Sequence, residues 1–273
     1  MAKKPAAGGT ATAGSPMKPA GASPPPAAGG GANAPAAIAK ELEARLRSAP
    51  DWPALLGVMG DAQQKCRELH AGSLPSILNT LATRAASNLR GIAEADAAAE
   101  SEALLRAGEA LLEAAVALNQ GRPPEAAVTA MVRLCCACAA RRGEKDAREG
   151  PGSKASQRLA LRRALALVEE ARAAGMKPKL RTLSAILCGA AEAGDIETCE
   201  AVWAKLPTLG LEPQDAEFAA MLRGIRSGEV PDRGKRQGEL LRQLLEELPL
   251  PSDPPLIEEI GRAFGVAGVA SLQ

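Results

Sequence analysis

The sequence predicts an all-α protein, a solenoid of helix-turn-helix hairpins. Three observations support this fold class. Apolar residues recur at helical spacing in every periodic segment, and Gly or Pro marks the breaks between segments. In addition, "GMKPKLRTLSAILCGAAEAGD" at 175–195 returns as "GLEPQDAEFAAMLRGIRSGEV" at 210–230. Repeats of about 20 to 50 residues are typical of solenoids, in which each unit buries its apolar face against its neighbours.

Composition agrees with packed helices. Aromatic residues make up only 1% of the 273 residues, so Leu, Ala, Val and Ile must form the core, which favours packed helices over an ordinary β-sandwich. The six cysteines have no even spacing, and no apolar signal segment follows the N-terminus, which indicates a reducing, intracellular compartment. No apolar run approaches the roughly 18 residues of a membrane span, so no membrane partner is expected.

Three regions divide the chain. Residues 1–35 consist almost entirely of Ala, Pro, Gly, Ser and Thr and are predicted to be a disordered tail, because they lack the apolar bulk that would offset the entropy of ordering. Residues 36–264 are predicted to form the helical repeat domain. Residues 265–273 would be a short C-terminal tail.

Four segments with helical periodicity precede the clear repeats: 37–49, 54–70, 73–89 and 94–121. Asp51 starts the second helix, Gly72 and Pro75 separate the second from the third, and Gly121 closes the fourth. The alternation of helix and turn therefore begins well before the repeats themselves.

The repeat length is set by its prolines. Pro178 and Pro213 are 35 residues apart, and Pro123 precedes Pro178 by 55 residues. The excess of about 20 residues matches the polar, charged and turn-rich stretch 141–160, which we interpret as an insertion.

Within the unit from 178 to 213, two helices are expected. Gly194 ends the first helix, Asp195 is the N-cap of the second, and Pro207 should stop or kink the second. Two apolar faces result: Leu183, Ile186, Leu187 and Ala190 on the first helix, and Ile196, Cys199, Trp203 and Leu206 on the second.

Catalytic chemistry is not indicated. His70 is the single histidine, and no phosphate-binding loop, nucleophile motif or metal-binding carboxylate pair occurs. Cys135, Cys136 and Cys138 suggest zinc, but adjacent helical positions diverge by about 100°, so the three thiols cannot converge on one ion. We interpret them as buried small residues, and no cofactor, metal or catalytic residue is predicted.

Charge is distributed unevenly. Residues 141–181 carry 12 Lys or Arg against 5 Asp or Glu, whereas residues 182–230 carry 3 against 8. The basic segment is a candidate phosphate-contacting surface or, alternatively, an ordinary solvated loop.

The stretch 175–224, with its pattern G-x-x-P-x-L-R-[ST] followed by G-D and a second G-x-x-P, resembles the pentatricopeptide repeats of proteinaceous RNase P. The stretches "RPPEAAVTAMVRLCCACAARRG" and "LEELPLPSDPPLIEEIGRAF" are similar to earlier and final parts of that domain, so the resemblance covers about 122–264. In this family the repeats grip precursor tRNA while a separate metallonuclease domain cuts the 5′ leader. The chain stops about nine residues after Phe264, so we expect a binding module without nuclease activity.

The resemblance also implies which residues contact RNA. In such repeats a residue about six positions after the repeat proline contacts a base, helped by the residue after the next proline. These positions are Thr129 with Lys179, Ser184 with Gln214, and Ala219. Hydroxyls at such positions could instead be ordinary exposed helix-start groups.

Three cations lie beside these positions. Arg181 could stack on a base or bind a phosphate, and Lys177 and Lys179 add charge next to it.

Two functions follow from the sequence. The first is an RNA-binding module for structured RNA such as precursor tRNA, located in the mitochondrion, plastid or nucleus. The second is a helical-repeat scaffold that binds protein partners in an organellar ribonucleoprotein assembly, which the near-neutral net charge of +1 and the scarcity of stacking aromatics favour.

Overall fold

The computed structural model describes residues 34–70, 72–88, 94–139, 151–228, 230–247 and 253–264. Its residues form α-helices joined by turns, and the described part contains no strand. The helices are α1 (Ala34–Ser48), α2 (Trp52–Lys65), α3 (Leu74–Asn88), α4 (Glu94–Leu118), α5 (Glu125–Ala139), α6 (Pro151–Ala173), α7 (Leu180–Ala193), α8 (Ile196–Thr208), α9 (Asp215–Ser227), α10 (Arg233–Glu247) and α11 (Pro254–Phe264). The predicted tail at 1–35 lies outside the described residues except for Ala34 and Pro35, which begin α1.

The helices form two rows. The inner row consists of α1, α3, α5, α7, α9 and α11, each packed on the inner helix of the neighbouring hairpin. The outer row consists of α2, α4, α6, α8 and α10, each packed on the inner helix that precedes it in the chain. This neighbour-to-neighbour packing confirms the predicted all-α solenoid of hairpins. None of the described helices is long and apolar enough to cross a membrane.

The hairpin α7–α8 follows its sequence pattern closely. All four apolar residues predicted for the buried face of α7 are fully buried: Leu183, Ile186, Leu187 and Ala190. Gly194 ends the helix with a left-handed φ of 67°, a conformation that glycine adopts without steric cost. On α8, Cys199 and Leu206 are buried and Ile196 and Trp203 are partly buried, and the helix ends at Thr208, directly after Pro207.

Asp195 caps α8 as predicted. Its carboxylate accepts hydrogen bonds from the Thr198 backbone N–H at 3.3 Å and from the Thr198 hydroxyl at 2.7 Å. We expect Asp195→Ala to lower the free energy of unfolding by about 1 to 2 kcal/mol, because both donors lose their acceptor in a buried setting. Asp195→Asn keeps an acceptor oxygen and should lose less. Urea unfolding followed by circular dichroism measures both; equal losses would show that capping is not the cause.

The description of 141–160 as turn-rich was wrong for its second half. Residues 151–160 are the first turns of α6, and only 141–150 fall outside the described residues. Pro151 fits a first helical turn because the N–H that proline lacks has no intrahelical partner there. The polar residues that suggested a loop include Arg158, which lies on the exposed side of α6.

Glycine allows two inner helices to approach closely. An added Cβ on Gly189 of α7 would lie 2.8 Å from the Cβ of Cys136 on α5.

Cys135, Cys136 and Cys138 are all buried, which confirms that they pack in the core, and burial raises the pKa of the Cys136 thiol. Such thiols remain protonated and act as small apolar groups.

Candidate functional site

The inner helices leave one side open to solvent. For α3, α5, α7 and α9, neighbouring inner helices cover two sides and the outer row covers a third, whereas α11 packs on α9. We call the remaining side, across α3 to α11, the inner face. Its exposed or half-exposed polar residues include Asn79, Arg133, Arg181, Ser184, Glu192, Arg223, Arg226, Glu258 and Arg262.

An arginine occurs on four successive inner helices of this face. Arg133 of α5 donates to Asn79 Oδ1 of α3 at 3.0 Å. Arg181 of α7 binds Glu125 of α5, and Arg223 of α9 lies 3.9 Å from Glu192 of α7. Arg262 supplies the arginine of α11. Contacts between adjacent inner helices thus hold the first three side chains at the surface, whereas Arg262 binds Glu258 and Glu259 of its own helix.

Glu125, the first residue of α5, binds two cations of the next hairpin. Its Oε1 accepts from Arg181 Nη2 at 2.5 Å and from Arg181 Nε at 3.1 Å, and its Oε2 lies 2.6 Å from Lys179 Nζ. Burial alone would raise the pKa of Glu125, but the hydrogen bonds and charges of Lys179 and Arg181 hold it below its usual value. The carboxylate therefore stays ionised at neutral pH.

A second carboxylate, Glu259 of α11, has a 1% exposed side chain and binds three arginines. Arg223 Nε lies 3.0 Å and Arg262 Nη1 2.9 Å from Oε1, and Arg226 Nη2 lies 3.3 Å from Oε2. Burial opposes ionisation, yet the hydrogen bond from Arg223 and the charges of Arg226 and Arg223 lower the pKa of Glu259. The three arginines share one buried counter-charge, which fixes α11 on α9.

The residues six positions after the repeat prolines lie between adjacent inner helices. Thr129 is only 6% exposed, and its hydroxyl is 2.8 Å from the hydroxyl of Thr182 on α7. Ser184 is half-buried and contacts the Glu217 carboxylate on α9. Ala219 is buried. The hydroxyls of Thr129 and Ser184 thus already have protein partners.

The remaining predicted residues lie before the inner helices. Lys177 and Lys179 precede α7 and are exposed, and Lys177 has no ion-pair partner within the described ranges. Gln214 precedes α9, is exposed, and donates its backbone N–H to Glu217 Oε2 at 2.9 Å. Of the predicted set, the structure brings together only Lys179 and Arg181 at one group, Glu125.

Sequence reasoning missed the other arginines of the inner face. A signal was available, because Arg133 and Arg223 each lie ten residues after a repeat proline, Pro123 and Pro213. Glu125 and Glu259 carried no comparable signal. Within the part of the chain that the structure describes, no three His, Cys, Asp or Glu side chains are grouped so that they could hold a metal ion.

Comparison with solved structures gives distant similarities. The pentatricopeptide repeat protein PPR10 in complex with an 18-nt psaJ RNA element is 18% identical, with a TM-score of 0.33. The match covers 86% of this chain and 37% of that protein, so this chain spans well under half of its length. A variant of PPR10 with three cysteines changed to serine, bound to the same RNA element, matches with the same values.

Comparison at the level of sequence identifies the family. No curated protein matches the chain. The family model for the pentacotripeptide-repeat region of PRORP matches residues 88–230, which is more than half of the 273 residues. This range includes α5 to α9 and thus most of the inner face. The chain therefore belongs to the pentacotripeptide-repeat family of PRORP.

Proposed function

We propose that the chain is an RNA-binding helical-repeat module that uses its inner face. The observation that carries this proposal is the arginine on each of α5, α7, α9 and α11, all on the side left open by helix packing. A guanidinium suits RNA because it forks to phosphate oxygens and its flat face stacks on bases. Arg181, whose side chain is 54% exposed, is the predicted arginine of this face, and Glu125 holds it in a fixed geometry.

The proposed ligand is structured RNA such as precursor tRNA, bound for 5′ processing, in the mitochondrion, plastid or nucleus. The family match supports this choice of RNA class. The proposed RNA-contacting residues are Thr129, Lys177, Lys179, Arg181, Ser184 and Gln214, together with Arg133, Arg223 and Arg262 of the inner face. Binding without cleavage is proposed for this chain, because phosphodiester hydrolysis in the resembled enzymes needs carboxylates clustered around Mg²⁺.

A protein-binding scaffold is the second candidate. It is favoured by the carboxylates that already partner the inner-face arginines: Glu125 binds Arg181, and Glu259 binds Arg223, Arg226 and Arg262. Such pairing lowers the positive potential available to a polyanion. Salt dependence separates the candidates, because RNA binding releases counterions.

Arg133→Ala tests the proposal without disturbing the Glu125 cluster. We expect weaker binding of a precursor tRNA transcript, with the slope of log K against log salt concentration reduced by about 0.7 to 0.9 if one phosphate contact is lost. Arg158→Ala removes an arginine that is also exposed, on the outer helix α6, and is the matched control.

Filter binding at four salt concentrations would measure both variants. The expected result is a change for Arg133→Ala and parental behaviour for Arg158→Ala. Equal affinity and slope for parent and both variants would remove Arg133 from the interface, and failure of the parent protein to bind either the transcript or an unrelated hairpin RNA would favour the scaffold.

A further inference from the structure

Glu125 joins two hairpins at the surface of the inner face. Its side chain is 22% exposed, whereas those of Lys179 and Arg181 are 61% and 54% exposed. The carboxylate thus forms the base of a small cluster whose two cations face solvent. We call Glu125, Lys179 and Arg181 the triad.

The hydrogen bonds of the triad leave donors unused. Arginine carries five N–H groups, and Glu125 Oε1 occupies only the side edge of Arg181, formed by Nε and Nη2. The end edge, formed by Nη1 and the outer N–H of Nη2, has no acceptor among the residues that the structure describes. Lys179 likewise uses Glu125 alone as its ion-pair partner there.

Charge supports an anionic ligand of low valence. With Glu125 ionised, the triad carries one negative and two positive charges, a net charge of +1. A phosphodiester carries one negative charge and would neutralise the triad. Two oxygens of such a group match the end edge of a guanidinium in the fork geometry of arginine–phosphate pairs.

We propose that Glu125 is a positioning residue: it holds Arg181 by its side edge, so that the end edge, together with Lys179, receives one phosphodiester. This inference rests on the proposed RNA-binding function and assigns a role to a carboxylate that would otherwise only compete with RNA. The two edges of Arg181 allow Glu125 and phosphate to bind at the same time. Glu125 therefore strengthens the phosphate contact despite its charge.

Two variants at Glu125 separate positioning from competition. Glu125→Gln and Glu125→Ala both raise the triad to +2, but only glutamine keeps an acceptor oxygen for Arg181. We expect Glu125→Ala to bind precursor tRNA about 2- to 10-fold more weakly than Glu125→Gln, which corresponds to the lower part of the coupling range for contacting residues. A pure competitor would give equal, tighter binding for both variants, and that result would overturn the proposal.

The same substitutions in an Arg181→Ala background show whether Glu125 acts through Arg181. The difference between alanine and glutamine at position 125 should vanish when Arg181 is absent. Glu113→Ala and Glu113→Gln, on an exposed part of the outer helix α4, are the matched controls and should not differ from each other. Persistence of the Glu125 difference without Arg181 would show that Glu125 acts by another route.

Inorganic phosphate provides a readout that does not depend on RNA. The ¹⁵N resonance of Arg181 Nε should shift on phosphate titration in the parent and in Glu125→Gln, and less in Glu125→Ala. If the parent shows this shift but binds no RNA, the triad stands and the proposed function fails. If RNA binds but Glu125→Ala and Glu125→Gln behave alike and phosphate causes no shift, the proposed function stands and the triad fails.

Discussion

Phe218→Ala is expected to lower the free energy of unfolding by about 3 to 5 kcal/mol. Phe218 is fully buried in α9, and its ring meets that of Trp203 on α8 edge to face, with centroids 5.0 Å apart at 74°. Truncation removes this contact and leaves a cavity where α8 and α9 pack together. The rigid helices on either side cannot fully collapse into the space. The loss of stability should therefore exceed the transfer free energy of the removed side-chain atoms.

Urea unfolding followed by circular dichroism would measure the change for Phe218→Ala. Leu159→Ala is the control, because Leu159 is 69% exposed on α6 and its truncation should alter stability by less than about 0.5 kcal/mol. Fluorescence of Trp203, measured in a Trp52→Phe background because the chain has two tryptophans, offers a second probe of the same contact. A loss below about 1 kcal/mol for Phe218→Ala would show that α8 and α9 repack around the alanine.

The second large effect is that alanine in place of glycine should destabilise the protein at position 189 and stabilise it at position 57. Gly189→Ala should destabilise the protein by about 1 to 3 kcal/mol, because its new Cβ would lie 2.8 Å from Cys136 Cβ and 3.4 Å from Cys136 Cα. Atoms this close to the α5 backbone cannot rotate away, so α5 and α7 must separate. Gly57→Ala, in the exposed interior of α2 with nothing within 4 Å, should stabilise by about 0.5 to 1 kcal/mol.

Thermal and urea unfolding of the two glycine variants would test this pair of signs. Cys136→Ala should not rescue Gly189→Ala, since the Cβ that causes the clash remains. Equal stabilisation by both alanines would mean that helix propensity, and not the distance between α5 and α7, controls position 189.

The sequence predicted the fold well where the apolar periodicity of a helix ends at a recognisable capping residue. The buried face of α7, its end at Gly194 and the cap Asp195 all follow from local rules, because helix capping and side-chain periodicity depend on neighbours in the chain. The same local rules did not predict the start of α6. Residues 151–160 are polar and begin with Pro-Gly-Ser, and a helix with an exposed polar side looks like a loop in sequence.

The candidate site was less predictable because it depends on packing between hairpins. Arg181 was recognised as a surface cation, but its partner Glu125 lies 56 residues earlier in the chain and meets it only when α7 packs on α5. The burial of Thr129 against Thr182 likewise depends on how those two helices are offset. Local sequence rules contain no information on this offset. The hydroxyls of Thr129 and Ser184 could therefore be identified in the sequence, but their partners and their burial could not be predicted.

The neighbour-to-neighbour packing of the inner row has a consequence for how the chain emerges during synthesis. Each inner helix docks on the one before it, so a new hairpin finds its partner surface already in place. At about 5 to 20 residues per second, a unit of 35 residues takes roughly 2 to 7 s to appear, whereas helical proteins rich in local contacts fold in microseconds to milliseconds. Once the first few hairpins have packed together, folding therefore keeps pace with the ribosome, and the apolar face that remains uncovered is that of the last inner helix.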